Sequence, residues 1–285
     1  MAGILYVVAT PIGNLEDVTL RALRILREVS LIAAEDTRRT ARLLQHYSIS
    51  TRTTSLHEHN ERAKTPQLVD RLRAGEAIAL VSDAGTPLIS DPGQTLVAAA
   101  RAAGIRVESI PGPSAVMAAL ASSGLQTQEF VFLGFPPVRS KDRKRWLADL
   151  VSQTRLVVFF EAPHRIRRTL SDLETHLGRD REIAVGRELT KAHEELVVWP
   201  IYQCLEYFNV PKGEFTVLVP PRDSAHDPER PAPPLEDLLL EFGELTNNTG
   251  VTRRQALKVL AERHGLAVNE LYRLLGSDPE DGRKT

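Results

Sequence analysis

Three short apolar runs near the start of the chain each end at a corner rich in glycine and proline. Residues 4–10 run into Pro11-Ile12-Gly13-Asn14. Residues 77–81 run into Ser82-Asp83-Ala84-Gly85-Thr86-Pro87, which continues as Leu88-Ile89-Ser90-Asp91-Pro92-Gly93. Residues 105–110 run into Pro111-Gly112-Pro113-Ser114-Ala115. Apolar runs of this length between turn signals read as buried strands. A fourth run covers residues 31–34. Between them, Asp17 or Thr19 caps a helix carrying Leu20, Leu23, Leu26 and Val29, and small-residue helices follow the second and third corners. Strands alternating with helices imply a mostly parallel sheet covered by helices. In such a sheet, ligands bind beyond the carboxyl ends of the strands, where glycine and proline let backbone approach a ligand closely. Three ordinary surface turns are the plainer alternative for the corners.

A second α/β lobe is expected from about Phe130. Its strands are expected at 130–133, 156–160, 182–185, 196–199 and 214–219, with helices at 143–151 and 163–177. The later strands lie close together, so this lobe is expected to be mixed or largely antiparallel. The proline-rich stretch from Pro220 to Pro234 reads as an extended linker. Thr252-Arg253-Arg254-Gln255 is a capping box ahead of Ala256, Leu257, Val259 and Leu260; Gly265 stops that helix, and a shorter one through Leu271, Leu274 and Leu275 closes the chain. The expected domains are therefore 1–117, 118–222, a linker at 223–234 and a helical, helix-turn-helix-like module at 235–277. The 285 residues, 42% of them hydrophobic and 26% charged, suffice for two lobes and a module.

Cys204 is the single cysteine, so a disulfide framework and a cysteine-rich metal site are excluded. Histidine spacings for zinc are absent, and no metal is expected. Neither a signal peptide nor an apolar run long enough to span a bilayer is evident, so a cytoplasmic, membrane-free protein is expected. Net charge is −1, so a nucleic-acid partner would have to be met by local basic patches. The glycine patterns of dinucleotide and P-loop sites are missing.

Seven segments in order resemble the tetrapyrrole methylase superfamily and, within it, the ribosomal small-subunit methyltransferase I family. They are residues 5–17, Ala34-Glu35-Asp36-Thr37-Arg38, His57-Glu58-His59-Asn60-Glu61, 81–93, 110–115, Phe160-Glu161-Ala162-Pro163-His164-Arg165 and Gly186-Arg187-Glu188-Leu189-Thr190-Lys191. The resemblance covers roughly residues 4–220; residues 196–212 carry none of its motifs. It implies a two-lobed, non-Rossmann methyltransferase fold and S-adenosylmethionine in a cleft between the lobes. It also implies a homodimer, and 2′-O-methylation of a cytidine in 16S RNA of the small subunit. The implied cofactor contacts are Pro11, Asp83, Ala84, Gly85, Leu88, Ile89, Ser90, Ser114, Ala115, Glu161 and Ala162.

Methyl transfer to a ribose hydroxyl needs in-line alignment, and a base or cation to manage the hydroxyl proton and charge. Candidates are Asp36, Arg38 and His57 in one patch, and Glu188 and Lys191 in another. Asp36 or His57 is expected to act on the hydroxyl while Arg38 holds phosphate. A helix cap for Asp36, a solvated loop for His57 and a surface ion pair for Glu188–Lys191 are the structural alternatives. RNA contacts are expected from Arg39, from Arg139, Lys141, Arg143, Lys144 and Arg145, and from Arg165; a solvated helix face is the alternative. Two rival readings remain: a precorrin-type carbon methyltransferase, and a non-catalytic RNA-binding or ribosome-assembly protein.

Overall fold

The computed structural model describes residues 3–126, 128–210, 212–221, 235–248 and 252–264, with Leu271 and Leu275. The expected linker at 223–234, the helix stop at Gly265, and Leu274 of the last helix lie outside the described residues. Contacts divide the chain into two compact units, Met1–Pro220 and Pro221–Thr285.

The first sheet holds β1 (Ile4–Val8), β2 (Leu31–Ala34), β3 (Thr53–Ser55), β4 (Ile78–Val81) and β5 (Arg106–Ile110). Its order is β3-β2-β4-β1-β5, parallel throughout. Its helices are α1 (Leu20–Glu28), α2 (Thr37–His46), α3 (Glu61–Arg73) and α4 (Gln94–Ala102). Side chains alternate across the pleat. Leu5, Val7, Leu31, Ala33, Ile78 and Leu80 pack on Leu68, Leu72 and Leu96 of α3 and α4. Val8, Ile32, Ala34, Ala79 and Val81 pack on Leu23, Leu26 and Leu44 of α1 and α2. Thr19, not Asp17, caps α1, accepting from Ala22 N–H at 3.1 Å. The sheet has one strand more than the sequence suggests. β3 is three polar, half-buried residues at the sheet edge, with no apolar run to mark it. Residues 77–81 and 105–110 therefore lie in the fourth and fifth strands.

In the second sheet are β6 (Phe130–Phe132), β7 (Leu156–Glu161), β8 (Glu182–Arg187), β9 (Glu195–Pro200) and β10 (Phe215–Val219), ordered β6-β7-β10-β8-β9. β6 and β7 are parallel and the other pairs antiparallel, so the sheet is mixed. On one face Val157, Phe159, Ile183, Val185, Phe215 and Val217 pack under α6 (Ser140–Val151), α7 (Ile166–Leu177) and α8 (Ile201–Tyr207). α5 (Ala115–Ser123) starts at the third corner and covers the other face, where Val116 and Ala119 meet Leu156, Val158 and Ala184. The expected boundary at 117/118 falls inside α5. Ile12 of the first corner joins the same cluster. α8 occupies the stretch without motifs; its Cys204 is fully buried, and burial pushes the thiol up to about 12. Such a thiol stays protonated and inert at neutral pH.

In the second unit, α9 (Leu235–Asn248) and α10 (Arg253–His264) share a core of Leu238, Leu257, Leu260, Leu271 and Leu275. The capping box forms: Thr252 N–H donates to Gln255 Oε1 at 3.0 Å, and Gln255 N–H to Thr252 Oγ1 at 3.4 Å. Among the described residues no helix is long and apolar enough to cross a membrane.

Candidate active site

Because the first sheet is parallel, its strands all end along one edge. α1 leaves β1 on one face and α4 leaves β4 on the other, so these neighbouring strands diverge there. Such a switch point opens a crevice between loops. The corners close it. Thr10 N–H donates to Gly85 O at 2.9 Å, and Gly85 N–H to Thr10 O at 3.0 Å. Thr10 Oγ1 donates to Ser82 O at 3.3 Å. Gly85 has a φ of +78°, and its Cβ position lies 3.4 Å from Ile12 and 3.8 Å from Pro113 O. The three corners thus meet at one glycine. Ser114 caps α5 by accepting from Met117 N–H, which sets Ala115 in the first turn beside this junction. Leu88 and Ser90 sit at φ +74° and +66°. Non-glycine residues there carry strain of about 1–3 kcal/mol each, a pattern common at ligand clamps.

Acids gather beyond the junction. Asp83 Oδ1 accepts from Asp36 N–H at 2.9 Å, and its other oxygen lies 3.4 Å from Arg39. Glu35 accepts from Asp83 N–H at 3.3 Å. Burial raises Glu35, with Asp83 and Asp36 adding to it against the Asp83 N–H bond and Arg39. Burial likewise pushes Asp91 up to about 6, helped by Glu35 and Asp83 and opposed by a Ser82 hydrogen bond. Asp36 behaves differently. It caps α2, and Arg38 grips it through Nε at 3.0 Å and Nη2 at 2.7 Å. That side-chain bonding holds the carboxyl far below the usual range, which makes it a weak base. His57 follows β3, in the loop before α3. Asn60 Nδ2 lies 2.9 Å from its Nε2, and Nδ1 is buried without a partner among the described residues.

The second sheet brings a charged loop to the first corner. Lys191 Nζ donates to Glu188 Oε1 at 2.8 Å and to Glu214 Oε2 at 3.0 Å. Burial alone would lower Lys191, but its two carboxylate partners outweigh this and raise it, so it is cationic at neutral pH. Burial would raise Glu188; its Lys191 and Glu214 N–H bonds prevail and lower it. Glu188 and Thr190 are held at φ +52° and +68°. Asn14 N–H donates to Thr190 Oγ1 at 3.1 Å, and a Cβ on Gly13 would lie 2.8 Å from that oxygen and 3.1 Å from Leu189 O. Between corner, loop and α2 lies a cavity of about 400 Å³, lined by Thr10, Pro11, Leu15, Arg39, Thr40, Arg42, Leu43, Ser82, Asp83, Lys191 and Glu214. A Cβ built on Gly134, after β6, would lie 3.4 Å from Ser90 Oγ, so the second sheet comes close to the second corner there.

The structure thus gathers Pro11, Asp83, Ala84, Gly85, Arg39 and Lys191, with Asp36 and Glu188 bonded to members of the set. Two expectations are corrected. Arg143 is not available to RNA: its side chain is 5% exposed, with Nε and Nη2 on Asp172 and Nη2 also on Thr169. Arg165 is likewise committed, to Glu161 and to Pro136 O. Arg139, Lys141, Lys144 and Arg145 remain exposed on and just before α6. Glu161 is buried, and its oxygens are taken by Ala162 N–H, Arg165 and Thr169 Oγ1, so its carboxylate shapes the cleft wall. Arg42, which the sequence groups with Arg38 and Arg39 as a basic cluster for RNA, lines the cavity, and Leu15, Thr40 and Glu214 line it unforeseen. Helical spacing of Arg39, Thr40 and Leu43 was the available signal for α2; nothing local marks Glu214.

The same two-sheet arrangement occurs in a solved uroporphyrin-III C-methyltransferase from Thermus thermophilus, complexed with S-adenyl homocysteine. It matches with a TM-score of 0.56 at 19% identity, over 76% of this chain and 97% of that one, a likeness of fold. The family model for Tetrapyrrole (Corrin/Porphyrin) Methylases matches residues 4–204, and the chain belongs to that family. Within it, the chain is 49% identical over 274 residues to the ribosomal RNA small subunit methyltransferase I of Synechocystis, covering 95% of this chain and 97% of that protein. The Vibrio cholerae protein of the same name is 45% identical over 276 residues, covering 95% and 94%.

Proposed function

We propose that this chain transfers a methyl group from S-adenosylmethionine to the 2′-hydroxyl of a cytidine ribose in 16S RNA. The observation that carries the proposal is near-full-length identity of 49% to a ribosomal RNA small subunit methyltransferase I. The corners fit a nucleoside. Backbone is bare at Gly85, and Ile89 and Met117 stand 48% and 54% exposed at the second and third corners, as apolar surface for an adenine-type ring. Pro11, Asp83 to Gly85, Leu88 to Ser90, Ser114, Ala115 and Ala162 would hold it. When bound, the sulfonium supplies an electrophilic methyl carbon.

The chain's own residues orient the hydroxyl and manage its charge. Lys191 is the group best placed to stabilise a developing alkoxide, because it reaches the cavity as a cation fixed by Glu188 and Glu214. Asp36, its carboxylate gripped by Arg38, anchors α2, and His57, bonded to Asn60, anchors the loop before α3. The homodimer and the cytoplasmic location belong to the same proposal. Mass mapping of 16S RNA from cells lacking the gene, with and without complementation, tests it. One cytidine should lose and regain a ribose methyl group. Unchanged RNA, or a methyl group found on a tetrapyrrole carbon instead, would refute the assignment.

A further inference from the structure

Three cations line the cavity beside the corners, and they are not equivalent. Arg39 lies 3.4 Å from the Asp83 carboxylate. Lys191 is bonded to Glu188 and Glu214. Arg42, exposed on α2, makes no hydrogen bond or ion pair with any described residue. Its positive charge is therefore the one left uncompensated in the lining. In the same lining, Pro11, Leu15 and Leu43 give apolar wall, with hydroxyls at Thr10, Thr40 and Ser82. An apolar wall, a few hydroxyls and a single unanswered cation complement a ligand with a flat body and one anionic group. The volume of about 400 Å³ is that of a small-ligand pocket and admits no duplex.

We propose that this cavity takes one unstacked nucleotide of single-stranded RNA, with Arg42 holding its phosphate. The inference rests on the reading of the chain as an RNA methyltransferase and adds the site and form of the substrate. A single strand can splay a base out of its stack, whereas a duplex must first be opened. Arg42 then acts as a binding residue that fixes the sugar near Lys191. Arg39, held by Asp83, shapes the rim.

The test is binding of a short single-stranded 16S fragment containing the target cytidine, followed by fluorescence anisotropy across a salt series. Wild-type protein is compared with Arg42→Gln and Arg42→Lys. Arg42→Gln should weaken binding roughly 10-fold and lower the slope of log affinity against log salt by about 0.7, the contribution of one phosphate on a single strand. Arg42→Lys should restore most of the slope. Cytidine 5′-monophosphate should displace the fragment from wild type about 10-fold better than cytidine, and no better from Arg42→Gln. Calorimetry should give the same S-adenosylmethionine affinity for all three proteins. Wild-type affinity and slope in Arg42→Gln would overturn the inference while leaving the methyltransferase reading intact. So would equal wild-type affinity for the fragment and for its duplex. Wild-type protein that binds no RNA would overturn both.

Discussion

The two sheets face the same cleft and build their walls by different means. At the first sheet's edge the wall is mostly main chain: Thr10 and Gly85 bonded to each other, Gly85 open between Ile12 and Pro113, and Leu88 and Ser90 in left-handed conformations. At the second sheet it is held by side-chain charge: Glu161 with Arg165 and Thr169, Arg143 with Asp172, Lys191 with Glu188 and Glu214. A main-chain wall tolerates few residue types and does not depend on ion pairs for its shape. A charged wall tolerates shape changes and fails when one partner is lost. The contrast predicts where each side is vulnerable.

The largest effect is expected at Arg143. Removing the buried Arg143 leaves Asp172, which is 31% exposed, without its cation and costs about 3 kcal/mol, the low end for a buried pair because water screens the lone carboxylate. Arg143→Ala should therefore lower the melting temperature by roughly 10 °C, at 2–4 °C per kcal/mol for a unit of this size. Replacing the pair together, as Arg143→Met with Asp172→Leu, should recover much of that loss, because no lone charge is left behind. Thermal denaturation checks both. An Arg143→Ala protein as stable as wild type would mean the second wall is not held by charge.

Gly13 is where the two kinds of wall touch, and it should give the next largest effect. A methyl group there meets Thr190 Oγ1 and Leu189 O at closer than ordinary contact, and Lys191 Cγ closer still. Overpacking of this kind costs about 1–3 kcal/mol. Gly13→Ala should lose stability by that amount and should lose methylation by a larger factor than it loses cofactor affinity, since Lys191 is displaced while Gly85 is not. Methylation rate and calorimetric cofactor affinity, measured on one preparation, decide it. Equal losses in both would place the corner and the charged loop in a single unit.

The same division governs what the sequence discloses. The three corners were legible because a main-chain wall leaves a residue signature: glycine and proline at strand ends. Buried strands such as Leu156–Glu161 and Phe215–Val219 showed as apolar runs, and the Thr252–Gln255 box as a local pattern. β3 was not legible because three half-buried residues at an edge need no apolar side chains. α3 was hidden by Pro66 and a run of charges. Arg143 looked like one more cation in a basic run, since its partner Asp172 stands on α7, 29 residues away. Asp36 announced a helix start correctly, yet only the fold shows Arg38 turned back on it. Glu214 comes from the far end of the first unit, so no spacing could have placed it in one lining with α2.

The smallest effect separates the walls by pH. Asp91 lies at the second corner in a crowd of like charge, and burial with Glu35 and Asp83 raises it from the ordinary 3.8 to about 6. A carboxyl whose folded value is raised binds its proton more tightly in the folded state. Its contribution to stability is favourable at low pH, falls as pH rises from about 3.8 to about 6, and is a fixed cost above that. A carboxyl fully shielded from water would lose about 3 kcal/mol over that range, which Asp91's partial exposure to solvent reduces to about 1 kcal/mol. Asp91→Asn should therefore melt about 2–4 °C above wild type at pH 7.5. The gap should shrink as pH falls through 6 and be gone near pH 4. The second wall's pairs shift the other way: Glu188 is lowered, so its contribution is present at neutral pH and fades only in acid. Glu188→Gln should accordingly destabilise at pH 7.5, where Asp91→Asn stabilises. A gap for Asp91→Asn that stays constant from pH 4 to pH 7.5 would mean the carboxyl carries no raised affinity for its proton, and the first wall would lose its charge-strained corner.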